Sequence, residues 1–225
     1  MFQGGIWASL QRTAGWWPEL LSGFLITLQI SLGAVIIGLV LGSIVCWLKM
    51  SKFRVARFVA FVYLGVIRGT PAVTQLLLIS AILFAGYRGN RVWIGIVALG
   101  INSGAYVAEI IRAGILSIDK GQTEAGLSLG FTKSQTMRYI VMPQAVKNIL
   151  PTYINEFIVM IKETAIVGFA AVQDLTRVAT QIQTRTFDVM PLFVSAAMYL
   201  VLLSLLTYCL TMFEKRMRAS DRESK

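Results

Sequence analysis

The sequence predicts an all-α integral membrane protein of five transmembrane helices, and three observations carry that prediction. Of its 225 residues 56% are hydrophobic and only 14% charged, and the mean hydropathy of +0.69 leaves more apolar surface than a water-soluble core can hide. Five stretches approach or exceed the roughly twenty apolar residues that cross a bilayer as a helix. The basic residues collect at the ends of these stretches and form no separate basic domain, as membrane-flanking charges do.

The five spans are expected at residues 20–48, 56–87, 92–116, 144–161 and 189–213. The second and fourth are the least regular. Residues 1–19 read as an external segment with no basic n-region, and the apolar run that follows begins too late and runs too long for a cleaved signal peptide. Within it Phe2, Ile6, Trp7 and Leu10 recur at helical spacing, and Trp16 and Trp17 follow as an aromatic anchor; the alternatives are an interfacial helix and a frayed tail. Residues 20–213 form one membrane domain, 117–143 a loop within it, and 214–225 a basic tail. With the N-terminus outside, fourteen Lys and Arg flank the inner ends, from Lys49 to Lys225, and six lie outside: Arg12, Arg88, Arg91, Lys162, Arg177 and Arg185. Arg68 falls inside a span. That asymmetry predicts an external N-terminus and a cytoplasmic C-terminus.

Composition also excludes functions. The net charge of +10 is interleaved with apolar runs, so no nucleic-acid partner is implied. The chain has no histidine, which removes the usual general base and the commonest metal ligand. It has no phosphate-binding loop of the form G-x-x-x-x-G-K-[ST], so it cannot hydrolyse ATP by that route. Cys46 and Cys209 stand in apolar segments without metal or redox spacing and read as lipid-facing or packing residues. No catalytic residue, metal or cofactor is expected.

Between the third and fourth spans, residues 117–142 are polar and long enough to need structure of their own. Asp119 with Gln122, and Thr132 with Gln135, have capping-box spacing, and Gly130 supplies a left-handed stop between two short helices. Pro143 ends the second helix or bends it into the fourth span. The loop reads Glu124-Ala125-Gly126-Leu127-Ser128-Leu129-Gly130 and, after nine residues, Ile140-Val141-Met142-Pro143. This resembles the EAA loop of ABC importer permeases, E-A-A-x-x-x-G, nine residues, then I-x-L-P, with Gly126 for the second alanine and Met142 for leucine. The resemblance implies docking on a separate ATPase, with Glu124 as the charged anchor. Ala125, Gly126 and Gly130 are small enough to let a short helix sit deep in a partner's cleft.

Two further stretches narrow the family. Arg68-Gly69-Thr70-Pro71 with Gln75-Leu76, and Asn102-Ser103-Gly104-Ala105-Tyr106 with Ala108-Glu109-Ile110 and Arg112-Ala113-Gly114-Ile115, resemble the second and third spans of the polar amino-acid permeases. What this implies is the type I (MetI-like) importer fold in the inner membrane. It also implies a second permease copy or similar partner, ATP-binding cassette subunits and an extracytoplasmic amino-acid-binding protein.

Polar groups inside spans are expensive and so point to function. Asn102, Tyr106 and Glu109 share one helix face, and Glu156 and Glu163 another. A zwitterionic amino acid needs acceptors for its ammonium, which Glu156 and Glu163 provide, and donors for its carboxylate, which Asn102, Thr70 and free backbone N–H groups provide. The resemblance likewise points to Asn102, Glu156 and Glu163. Gly69 and Pro71 interrupt an apolar helix, as breaks beside a translocation path do; a helix that simply ends there is the alternative. Competing readings put Lys162 and Glu163 at the outer interface, pair Glu109 with Arg112, and let Arg68 reach an interface. A rival function from another class is an ion-coupled secondary carrier with Glu109, Glu156 and Glu163 as relay.

Overall fold

The structure, a computed structural model, describes residues 5–223, without the side chains of 6–8 and 218–223. Every regular element among these residues is helical. Phe2 and Lys225 lie outside the described residues, as do the side chains of Ile6 and Trp7. The expected N-terminal helix is α1, Gly5–Ala14, tied to the start of the last helix by Arg12, which pairs with Asp188 at 3.2 Å.

The first span is α2, Trp17–Met50, which starts three residues earlier than expected because Pro18 falls in its first turn, where a missing N–H costs nothing. Its 34 residues extend about 50 Å, well beyond a hydrocarbon core of about 30 Å. The third span is α5, Val92–Leu116, with the bounds expected. The two helices pack along their length through glycines four residues apart. A Cβ at Gly38 would stand 2.7 Å from Ser103 Oγ and one at Gly42 2.8 Å from Val107 Cβ; in return, a Cβ at Gly100 would meet Ile37 at 2.7 Å. In lipid, where burial supplies no driving force between helices, such close approach supplies the contact.

The second expected span is broken. Helix α3, Arg54–Gly69, and helix α4, Ala72–Ile82, are bent by 112° about Thr70 and Pro71. Thr70 is extended, the conformation a following proline imposes, and Pro71 brings no N–H to continue the ladder.

Beyond α5 come α6, Lys120–Ser128, and α7, Lys133–Thr136. Gly130 takes the left-handed turn between them at φ 85°, and the Thr132–Gln135 capping box forms in both directions. The other expected box does not form. Asp119 is short and caps Gly121 N–H instead, while the Gln122 side-chain oxygen accepts from Gln144.

Nor does Pro143 end a helix. Residues Met137–Val141 form a π turn in which Met142 N–H donates to Met137 O, five residues back. The chain then enters α8, Met142–Glu163, with Pro143 in its first turn. The π turn absorbs the donor that proline removes, so α7 and α8 form one continuous helical run, within which a second proline, Pro151, lies inside α8.

By length and composition α2, α5 and α10, Met190–Glu223, can cross a membrane, as can the bent pair taken together. The 22 residues of α8 are long enough, but Lys147, Glu156, Lys162 and Glu163 make it less apolar. After α8 a 3₁₀ segment, Thr164–Ala170, leads to α9, Leu175–Thr186, whose first N–H donates to Thr27 of α2 at 3.1 Å. The main core gathers Ile30, Leu76, Leu99, Met160 and Val167. Cys46 is buried and Cys209 exposed.

Replacing Gly42 with leucine should separate α2 from α5, because the backbone N of Ala108 lies 2.9 Å from the new Cβ. Overpacking of this kind costs about 1–3 kcal/mol. The melting temperature of the detergent-purified protein should fall, whereas a leucine at Gly65, whose Cβ would meet nothing within 4 Å, should leave it in place.

Candidate functional site

A cavity of about 570 Å³ opens between α3, α5 and α8. Asn148, Thr152 and Glu156, spaced by four on α8, give one wall, and Tyr106 and Glu109 of α5 with Ser117 just past its end give another. Arg68, from the end of α3, lines it too. The two walls are stitched at both ends. Ser103 Oγ donates to Glu156 at 3.0 Å, and Asn148 Nδ2 donates to Ser117 Oγ at 2.8 Å.

Glu109 is the charge centre of one side. Lys49 of α2 donates to its carboxylate, Arg112 stands 3.6 Å away, and Arg68 stands 3.8 Å away. The pairing of Glu109 with Arg112 expected from sequence is therefore present, but as one of three. Arg68 also sits over the ring of Tyr106, 5.8 Å from its centroid, a cation–π distance. It also lines the cavity.

Thr70 and Asn102 meet through a residue whose role sequence reasoning missed. The Gln75 amide donates to Ile67 O at 2.7 Å, Thr70 O at 3.1 Å and Thr70 Oγ1 at 2.7 Å. These acceptors lie at the α3 side of the helix break, two of them carbonyls that precede Pro71. Gln75 Oε1 in turn accepts from Asn102 Nδ2 at 2.9 Å. Gln75 and Asn102 are both buried. The signal was in the sequence, as a glutamine four residues after a proline in an apolar stretch, but its partners lie across the break on α3 and Thr70 and on α5.

Glu163 ends α8, seven residues beyond Glu156 and half-buried. On the loop, Glu124, Ala125 and Gly130 are exposed. Gly126 is not. It faces inward, where a Cβ would stand 2.7 Å from Thr136 and 2.8 Å from Ile140, so its smallness lets α6 lie against the α7 rod. Around it Leu127, Leu129 and Phe131 are exposed at 40%, 77% and 38%, an apolar tip on a polar loop.

The family model for the binding-protein-dependent transport system inner membrane component matches residues 34–219. The chain belongs to this family. It is a multi-pass membrane permease component, and not itself an enzyme, because ATP hydrolysis belongs to a separate subunit. The permease is 41% identical to the arginine transport system permease protein ArtQ of Bacillus subtilis over 207 residues, 91% of this chain and 94% of the relative. It is 36% identical to the glutamine transport system permease protein GlnP of Escherichia coli over 205 residues, 89% and 94% of the two chains. A crystal structure of an amino acid ABC transporter with histidines superposes with a TM-score of 0.87 at 43% identity, covering 96% of this permease and all of that chain. A chain of the MetNI methionine ABC transporter, in inward-facing conformations, superposes at 0.73 over 88% of this chain and 95% of its own. At 18% identity it shows the type I importer fold alone.

Gln75→Leu should destabilise the permease. It strips partners from the carbonyls at the break and from Asn102, at about 1–3 kcal/mol for each buried group left unsatisfied. The melting temperature of the purified protein should drop by several degrees; an unchanged value would mean that Gln75 does not hold the break.

Proposed function

We propose that this permease moves polar amino acids into the cell by alternating access, driven by separate ATP-binding cassette subunits that dock on the α6–α7 loop. It pairs with a second copy or a similar permease, and an extracytoplasmic binding protein delivers the amino acid. The N-terminal segment, residues 1–19, lies outside; the loop and the basic tail lie in the cytoplasm, in keeping with the distribution of Lys and Arg.

One observation carries the reading. The wall of the cavity that bears Asn148, Thr152 and Glu156 is the same helical rod that, through the π turn, becomes α7. A displacement of the loop by an ATPase then moves the cavity wall directly. Glu124 and Ala125, beside the apolar tip, offer the partner a charged anchor and a small surface, and Gly130 and Pro143 set the turn and the junction. Glu156 faces the path, Thr70 and Asn102 hold the broken span beside it, and Glu163 stands toward its outer end. An ion relay through Glu109 is less favoured, because three cations already meet that carboxylate.

Glu124→Lys should abolish ATP-driven uptake in reconstituted vesicles and leave the amount of protein in the membrane unchanged, since Glu124 is exposed. Gly130→Trp should do the same with some loss of stability, as its φ of 85° disfavours any side chain. Normal uptake by both variants would contradict the docking role.

A further inference from the structure

We infer that a groove between the inner halves of α2 and α8 seats an acyl chain of an anionic phospholipid, whose headgroup meets Lys52 and Arg138 at the cytoplasmic surface. The groove lies on a different face of α8 from the cavity described above and shares no lining residue with it. The inference goes beyond the transport reading and takes from it only the cytoplasmic side of the loop.

The groove has a volume of about 560 Å³. On α2 its lining runs from Leu39 to Met50, and on α8 from Met142 to Tyr153, in each case about 16 Å of helical rise. That is about one leaflet of a hydrocarbon core about 30 Å thick. Its upper end is closed where Tyr153 Oη donates to Val35 O at 3.0 Å. Met137 and Met142, whose backbones bond across the π turn, line it at the loop end, so a chain seated there packs against the joint between loop and α8. Ile111 and Ile115 of α5 form the floor. No charged side chain lines the groove among the described residues. Trp47 stands at its rim, 71% exposed, an aromatic residue near the headgroup level, as at membrane interfaces generally.

The charges gather at the mouth and have one sign. Lys52 stands two residues beyond Met50, and Arg138 adjoins Met137. Both are exposed, and neither pairs with an acid among the described residues. The Arg138 guanidinium lies 5.7 Å from the Tyr139 ring centroid. The sequence has no Asp or Glu between Glu19 and Glu109, nor between Glu124 and Glu156, so α2 and α8 bring no anion of their own to this mouth. An anionic headgroup supplies it. Charge also decides against a second copy, because a two-fold axis across the groove would set Lys52 and Arg138 against their own images. The exposed apolar tip of the loop, Leu127, Leu129 and Phe131, lines no part of the groove, so the ATPase surface is separate.

The test uses the full permease purified with its ATPase in detergent, stripped of lipid and titrated with phosphatidylglycerol or phosphatidylcholine of the same acyl chains. Bound lipid is counted by native mass spectrometry. Wild type should bind phosphatidylglycerol roughly tenfold or more tighter than phosphatidylcholine. Lys52→Gln with Arg138→Gln should remove that preference. Lys215→Gln with Arg216→Gln, the same change of charge at exposed positions on α10, should keep it. Val146→Trp, at an exposed position that lines the groove, should fill it and weaken phosphatidylglycerol binding several-fold. Equal binding of the two lipids by wild type overturns the assignment, as does a preference that survives the Lys52 and Arg138 changes or falls equally in the α10 variant. Unchanged lipid binding by Val146→Trp also overturns it, and if that variant separates paired permeases the groove belongs to a second copy instead. Lipid is counted without any uptake, so the outcome is independent of whether the transport reading holds.

Discussion

A backbone broken within an apolar stretch has to find new partners for the carbonyls it releases, because lipid offers none. The break at Thr70 and Pro71 turns the second span through 112°, and a single amide, that of Gln75 on α4, reaches back across it to the carbonyls of Ile67 and Thr70. The remainder of the site depends on that closure. It fixes the end of α3, from which Arg68 reaches the cavity, and through Asn102 it fixes α3 and α4 against α5. Helix α5 is in turn held to α2 by glycines that bring the two backbones close, so the break is referenced to a closely packed pair of helices.

Around that frame the charges fall into a pattern. Lys49, Arg68 and Arg112 converge on Glu109 from α2, α3 and α5, and Glu156 is carried by α8 on the opposite wall. Charges in a low-dielectric setting are tolerated when paired, and here the pairing binds three helices together while leaving one guanidinium incompletely engaged. Both walls adjoin the loop, but α5 does so through the non-helical residues 117–119, whereas α8 runs into α7 with no break in the helical backbone. The α8 wall is therefore the one joined to the loop by continuous helix.

Much of this was legible in the sequence wherever the cause is local. Gly130 with Thr132 and Gln135 gave the turn and cap of the loop, Gly69 and Pro71 gave the break, and the apolar run of α5 gave its bounds to the residue. Where side chains compete for distant partners, local rules failed. Gln122 turned to Gln144 and left Asp119 to cap alone. Lys49 reached Glu109 across 60 residues of sequence. The π turn answers the proline two residues beyond it, and propensity has no entry for a helix that widens by one residue to continue past a missing donor. Gly126 was expected to face a partner, whereas in the structure it lies against Thr136 and Ile140 within the loop.

The central claim is that loop and cavity wall move as one rod. Double electron–electron resonance tests it most directly, with one spin label on the exposed Ser128 of α6 and one on the exposed Asn155 of α8, in the reconstituted complex with and without ATP. The account predicts that the distance between the two labels within a chain stays fixed while the distance between Asn155 labels on paired permeases changes by several ångströms on ATP binding. A within-chain distance that changes on ATP binding while the Asn155 labels of the pair keep their separation would contradict it.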